Sequence, residues 1–293
     1  MTSSPPAAPD PTSPTALRQL FRERNFRPRR SLGQTFLTDA NIVAKIIEFA
    51  QLTGKQPVLE IGPGAGAVTR SLAASARRVL AIEIDPTLVE ILRETVGEKV
   101  EVITADVLAV DWQRLLGGEG RWRVVANLPY AITGPSIVQL LAARKWIDRL
   151  VIMVQQEVAE RLTAAPGGRQ RGLLSVLVQA TCEAKLVWRV ARTCFWPQPQ
   201  VDSALLTLDV RRPPLVSDDL EPFFFRVVRA GFGTRRKTLL NALAYGLGST
   251  KDEARSLLSG GEIDPERRAE TLSEMEFLRL AGALAAGADE AGQ

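Results

Sequence analysis

The residues best suited to holding a nucleotide fall at three places in the first half of the chain. Glu60-Ile61-Gly62-Pro63-Gly64-Ala65-Gly66-Ala67 follows an apolar run, and its glycines let the backbone turn tightly and approach a ligand. Gly62-x-Gly64-x-x-Ala67 also satisfies a dinucleotide fingerprint, so by itself it is a weak discriminator. Glu83 lies about twenty residues further on, at the end of the next apolar run, where a carboxylate can take both hydroxyls of a ribose. Asp106 ends the third run and can accept a hydrogen bond from an adenine amino group. Each acid taken singly reads as well as a helix N-cap. Together, in order after consecutive strands, they favour an adenosine ligand.

Other chemistries are excluded by what the chain lacks. No histidine occurs in its 293 residues, which removes His-containing zinc sites, Ser-His-Asp and Cys-His nucleophile systems, and a histidine general base. Cys182 and Cys194 form no CxxC, so neither a disulfide framework nor a four-cysteine metal site is available, and no metal is expected. Reduced thiols fit a cytoplasmic protein. Val124–Ala143 is uncharged and nominally long enough to span a membrane. Its Asn127, Pro129, Pro135 and Gln139 make it instead a strand end, a loop and a helix start, so no membrane association is expected.

The elements that position these residues alternate in type. Asn41–Ala50 has helical periodicity, and strands are predicted at Pro57–Ile61, Val79–Ile84, Val100–Thr104, Val124–Ala126 and Leu150–Gln155. Helices fit between them at Ala67–Ala76, Leu88–Val96, Asp111–Leu116 and Ser136–Ala143. Buried β-branched strands separated by helices imply a parallel sheet covered on both faces. Ala184–Ala191 and Ala204–Val210 leave no room for a crossover helix and predict an antiparallel pair at a sheet edge. Beyond Arg211-Arg212-Pro213-Pro214 only helices are predicted, at Phe223–Gly231, Lys237–Tyr245, Lys251–Leu258 and Ser273–Ala285. The expected division is a disordered, proline-rich tail over 1–15, an α/β domain over 16–211 and a small all-helical domain over 212–293.

Thirty of the 37 basic residues are arginine, and they cluster. Six fall between Arg18 and Arg30 against a single acid, and five basic residues lie between Arg226 and Lys237 with none. Arginine grips phosphate in a bidentate fork, so two such patches on a nearly neutral body suggest a polyanionic partner. Arg29, Arg30, Arg235, Arg236 and Lys237 are the candidate nucleic-acid contacts.

The fourth strand ends in Asn127-Leu128-Pro129-Tyr130, which resembles the tetrapeptide of S-adenosylmethionine-dependent methyltransferases acting on exocyclic amino groups. Further strings extend the resemblance: Leu32-Gly33-Gln34-Thr35-Phe36-Leu37, Gln156-Glu157-Val158-Ala159-Glu160-Arg161 and Cys194-Phe195-Trp196-Pro197-Gln198-Pro199-Gln200-Val201. With the glycine turn, Glu83 and Asp106, they resemble the bacterial small-subunit ribosomal RNA adenine N6,N6-dimethyltransferases, from about Arg29 to the end of the helical region.

The resemblance implies a class I, Rossmann-like methyltransferase sheet of seven strands, the last antiparallel, and S-adenosylmethionine as cofactor. It implies cofactor contacts from Thr35, Leu37, Gly62, Glu83, Asp106 and Asn127, with Thr35 standing where the family usually has asparagine. Catalysis would fall to Asn127, Leu128, Pro129 and Tyr130, with Phe195 as a second aromatic wall against the base; the plainer reading of Phe195 is edge-strand core. The loop Ala164–Gly172 departs from the family in carrying Arg171 where an aromatic is common, and is expected to face RNA. The substrate implied is 16S rRNA in the small ribosomal subunit, dimethylated at two adjacent adenosines of its 3'-terminal hairpin loop by a monomeric enzyme serving subunit biogenesis. The rivals are a large-subunit (23S) adenine methyltransferase, an assembly factor without turnover, and an NAD oxidoreductase.

Overall fold

The computed structural model describes residues 10–96, 100–118, 120–234 and 236–291, with the backbone alone for Arg30 and residues 289–291. Two compact units emerge. The first is the chain up to Ala159 together with Lys185–Asp209; the second is Glu160–Ala184 together with the chain from Val210 onward.

The first unit opens with helix α1 (Pro14–Glu23), strand β1 (Phe36–Leu37) and α2 (Ala40–Ala50). There follow β2 (Pro57–Ile61), α3 (Thr69–Ser75), β3 (Arg78–Glu83), α4 (Pro86–Thr95), β4 (Val100–Thr104), α5 (Trp112–Leu116), β5 (Trp122–Asn127), α6 (Thr133–Ala142) and β6 (Ile147–Gln155). Next come α7 (Gln156–Leu162), α8 (Leu173–Thr181), β7 (Cys182–Val190), β8 (Phe195–Trp196) and β9 (Ser203–Val210). The remainder is helical: α9 (Glu221–Phe232), α10 (Leu239–Leu247), α11 (Lys251–Gly260) and α12 (Glu274–Ala291).

Seven strands form one sheet in the order β4-β3-β2-β5-β6-β9-β7, and β1 and β8 form a separate antiparallel pair. β2 pairs in parallel with β3 and β5, β3 with β4, and β5 with β6, whereas β9 runs antiparallel to β6. Central strands of a parallel sheet are covered on both faces, which is why β2 reads Pro-Val-Leu-Glu-Ile with every residue buried. The register decides where ligands sit. Ile61 pairs with Ile82 and Ala126, and Glu83 with Thr104, so the carboxyl ends of β2, β3, β4 and β5 finish almost flush. Gly62, Glu83, Asp106 and Asn127 therefore emerge along one edge, the binding edge of open α/β sheets.

Two sequence expectations change. Residues from Asp10 are ordered, and α1 begins at Pro14, inside the segment expected to be a disordered tail. Proline is well placed at the first helical turn, and the Ser13 side chain caps the helix by accepting from the Ala16 N–H. The boundary at 211 also misplaces Glu160–Ala184, which packs with the C-terminal helices: α8 meets α9 and α12. Among the described residues no helix is long and apolar enough to cross a membrane. Both cysteines are free thiols.

Candidate active site and cofactor cleft

One cleft in the first unit gathers nearly every residue that the sequence nominated. Thr35, Leu37, Gly62, Glu83, Asp106, Asn127, Leu128, Pro129 and Tyr130 all line it. At its floor the chain turns through Gly62 (φ +70°) and Gly64 (φ +57°), conformations that favour glycine. A Cβ on Gly62 would lie 3.2 Å from the Asn127 carbonyl oxygen, and one on Gly64 would touch the Phe36 ring at 3.0 Å. At both positions a side chain would press on the protein itself, so the turn is held close to Asn127 and Phe36.

Glu83 is 6% exposed, and its carboxylate is already held by three backbone donors. Oε1 accepts from the N–H of Ile84 and of Asp85, both at 3.0 Å, and Oε2 accepts from Gly64 N–H at 3.2 Å. Burial raises its pKa, and those backbone bonds oppose the rise. A carboxylate has about four lone-pair sites, so one acceptor site remains for a ribose hydroxyl. Asp106 caps the short turn after β4, accepting from Leu108 N–H at 2.9 Å through Oδ1. The capping and ligand-binding readings of this acid are thus compatible, because Oδ2 is left over.

Asn127 ends β5. Its Nδ2 donates to the Thr35 carbonyl at 3.4 Å, which turns Oδ1 the other way as an acceptor. Thr35 therefore acts on Asn127 through its backbone, a role indifferent to the replacement of asparagine by threonine. Leu128 is 1% exposed, and its N–H bonds to Met153 O at 3.2 Å, tying the loop to β6. Pro129 donates nothing, and its carbonyl accepts from both Ile132 N–H and the Thr133 hydroxyl at 3.1 Å. Tyr130 is half-buried, with its hydroxyl 2.9 Å from Ser203 Oγ at the start of β9. Burial raises its pKa, so it stays a neutral phenol.

Phe195 is corrected. It is 4% exposed, pairs with Leu37 between β8 and β1, and packs among Val43, Ile46, Val190 and Leu205. It does not line the cleft, and the edge-strand reading holds for it. Arg171 is corrected as well. Its side chain is fully buried in the second unit, bonded to the Ala164 carbonyl at 2.6 Å, to Gln179 Oε1 at 2.9 Å and to the Glu274 carboxylate. It holds the base of its loop and does not face RNA. Of the cationic candidates, Arg236 and Lys237 are exposed between α9 and α10. Arg29 is 56% exposed at its side chain, with Nε 3.7 Å from Asp85 Oδ2. The Arg30 side chain and Arg235 lie outside the described residues.

Sequence reasoning missed several contributors. Ser203 anchors Tyr130 across 73 positions, and nothing local signals that partnership. Pro11 and Leu17 bring the N-terminal segment to the cleft, where the apolar face of α1 (Leu17, Leu20, Phe21) meets Ala65, Leu88 and Ile91. Its Leu17-Leu20-Phe21 spacing was the available sign. Glu60 is 3% exposed in the same cleft, and its Oε2 has no hydrogen-bond partner. Burial pushes its pKa up to about 8; the nearby Thr69 hydroxyl relieves this in part without making a well-aligned bond, and the Glu83 charge adds to it.

A family model for ribosomal RNA adenine dimethylase matches residues 25–285. The chain belongs to that family. Among its similar relatives is the ribosomal RNA small subunit methyltransferase A of Moorella thermoacetica, 49% identical over 90% of this chain and 95% of the relative. The protein of that name from Pelotomaculum thermopropionicum is 48% identical over 92% and 95%. Among solved structures, a dimethyladenosine transferase from Plasmodium falciparum superposes with a TM-score of 0.72 at 26% identity, over 83% of this chain and 95% of that one. The 23S rRNA methyltransferase ErmE reaches 0.67 at 29% identity, over 85% and 99%.

Ribosomal RNA adenine dimethylases are S-adenosylmethionine-dependent methyltransferases, and this chain's cleft fits that cofactor. The tight glycine turn beside Asn127 and the spare acceptor sites of Glu83 and Asp106 suit its adenosine half. When bound, S-adenosylmethionine supplies an electrophilic methyl group on a sulfonium.

Proposed function

We propose that this dimethylase methylates N6 of two adjacent adenosines in the 3'-terminal hairpin loop of 16S rRNA, within the small ribosomal subunit. The observation that carries the reading is the acceptor pair beyond β5. Asn127 Oδ1 is freed for a ligand by the bond from its own Nδ2 to Thr35, and among the described contacts the Leu128 carbonyl accepts no hydrogen bond. The lone pair of an adenine amino group is delocalised into the ring, so N6 is a poor nucleophile. Two acceptors placed on its two N–H bonds favour a pyramidal nitrogen whose lone pair points away from the ring. Tyr130, fixed by Ser203, offers a face on which an extruded base can stack.

Bound S-adenosylmethionine would supply the methyl group to the nitrogen that Asn127 and Leu128 hold, and the proton displaced from that nitrogen would leave to water. Positioning and electrostatics carry the step, with no acid–base pair of matched pKa. After the first transfer one N–H remains to be held. After the second none remains, so the dimethylated product loses both hydrogen bonds to the loop and is released more readily than the substrate.

The small subunit is favoured over the large by the relatives: those named for the small subunit are 49% and 48% identical, against 29% for the 23S enzyme. Exposed Arg236 and Lys237 supply cations for the RNA backbone. We further propose a monomer working in the cytoplasm, which sedimentation with and without ribosomal subunits would check. Undermethylated small subunits and large subunits, each incubated with labelled S-adenosylmethionine, test the substrate. Label should enter small-subunit RNA alone; label in large-subunit RNA would transfer the assignment to the rival.

A further inference from the structure

Gln34 lines the cleft, and both ends of its side-chain amide are engaged within the protein. Nε2 donates to Asp85 Oδ2 at 2.9 Å, and Oε1 accepts from the Arg29 N–H at 2.7 Å. The Arg29 carbonyl accepts in turn from the N–H of Leu32 (3.2 Å) and of Gln34 (3.3 Å). The segment from Arg29 to Gln34 is thereby closed into a compact loop. Asp85 is the anchor. It is 1% exposed, two residues after Glu83, and its other oxygen caps α4 by accepting from Thr87 N–H at 3.1 Å. Where the loop ends, Gly33 approaches Pro129 so closely that a Cβ there would lie 3.4 Å from the proline Cβ, and the next carbonyl, that of Thr35, accepts from Asn127 Nδ2.

We propose that Gln34 is a positioning residue for methyl transfer: by gripping Asp85 it sets the register of the Arg29–Thr35 segment, whose Thr35 carbonyl orients the Asn127 amide. The inference rests on the methyltransferase reading above. The amide is suited to the task because it presents a donor to a carboxylate and an acceptor to a backbone N–H at once, and turning it over would mismatch both ends. A sub-ångström shift of Thr35 moves the Asn127 acceptor away from the amino group it must hold, and misplacement by about 1 Å can cost on the order of a hundredfold in rate. None of the three donors to Glu83 comes from Gln34, so the effect on Asn127 is read in the rate at saturating cofactor.

The test uses the full-length enzyme, S-adenosylmethionine affinity by calorimetry and single-turnover methylation of small subunits. Gln34→Met keeps the length of the side chain and removes both hydrogen bonds. It should lower the rate by about ten- to a hundredfold even at saturating cofactor, so that raising S-adenosylmethionine does not recover it. Gln34→Glu sets two carboxylates against each other, and Asp85→Asn sets two donors against each other, so each alone should slow transfer. Combined, they restore one donor and one acceptor with the direction reversed, and the rate should recover. A wild-type rate for Gln34→Met, a loss confined to cofactor affinity, or no recovery in the exchanged pair each overturns the proposal. Should Asp85→Asn fail to fold, Gln34→Met decides alone. A wild-type enzyme that methylates no RNA would instead overturn the functional reading.

Discussion

At the residue scale, Glu83 and Asn127 separate binding from chemistry. Removing the Glu83 carboxylate by Glu83→Ala should weaken S-adenosylmethionine by roughly 1–3 kcal/mol, the worth of a charge-assisted hydrogen bond. Calorimetry reads this directly, and unchanged affinity would remove Glu83 from the ribose site. Glu60 makes a pH prediction. It holds its proton up to about pH 8 in the folded chain, against the usual 4.5 for an unfolded one. Between those values the native state binds the extra proton, so the contribution of Glu60 to stability is complete below 4.5 and falls as pH rises towards 8. Glu60→Gln is neutral throughout. Its melting temperature should therefore gain on the wild type between pH 5 and pH 9, and parallel curves would show that Glu60 ionises normally. Glu83 and the Asn127 tetrapeptide were legible because their chemistry follows strand ends. Glu60 was not, because an acid buried in a strand looks in sequence like any polar residue on a solvent face.

At the scale of elements, α1 and the loop at Arg171 show where sequence reasoning stops. Proline-rich composition masked a helix whose apolar face packs Phe21 against Phe26 (centroids 4.6 Å apart) and Phe36 (4.8 Å). Phe21→Ala should cost about 3–5 kcal/mol, as large-to-small changes in a packed core do. Denaturant titration would measure it, and a loss below about 1 kcal/mol would mean that α1 is only loosely docked. Arg171 carries a charge that suggested RNA in the sequence, but its partners lie 7, 8 and 103 positions away and fold around it. Arg171→Ala strands the Glu274 carboxylate and should destabilise the second unit by about 3–5 kcal/mol. The salt dependence of RNA binding should not change in that variant, since the guanidinium meets no solvent. A flattened salt slope would return Arg171 to the RNA surface. The alternating strands and the late helices, by contrast, were readable, because buried parallel strands repeat a pattern that no long-range partner is needed to reveal.

At the scale of the whole molecule, a net charge of +4 conceals the contrast between a cleft lined by Glu83 and Asp106 and exposed cations in the second unit. Replacing Arg236 and Lys237 by alanine should flatten the logarithmic salt dependence of subunit binding by about 1.4, near 0.7 for each phosphate contact. S-adenosylmethionine affinity should hold, because its cleft is built from the first unit alone. An unaltered slope would make both cations ordinary solvated surface. The central claim, that this chain dimethylates N6 through the Asn127 loop, is tested most directly by digesting the treated small-subunit RNA to nucleosides and resolving the products by mass. Wild-type enzyme should convert adenosine to N6,N6-dimethyladenosine, and Asn127→Ala should lose about 10²–10³ in that conversion, as on losing one preorganised transition-state hydrogen bond. Methyl groups found on another atom, or a near wild-type yield from Asn127→Ala, would contradict the account.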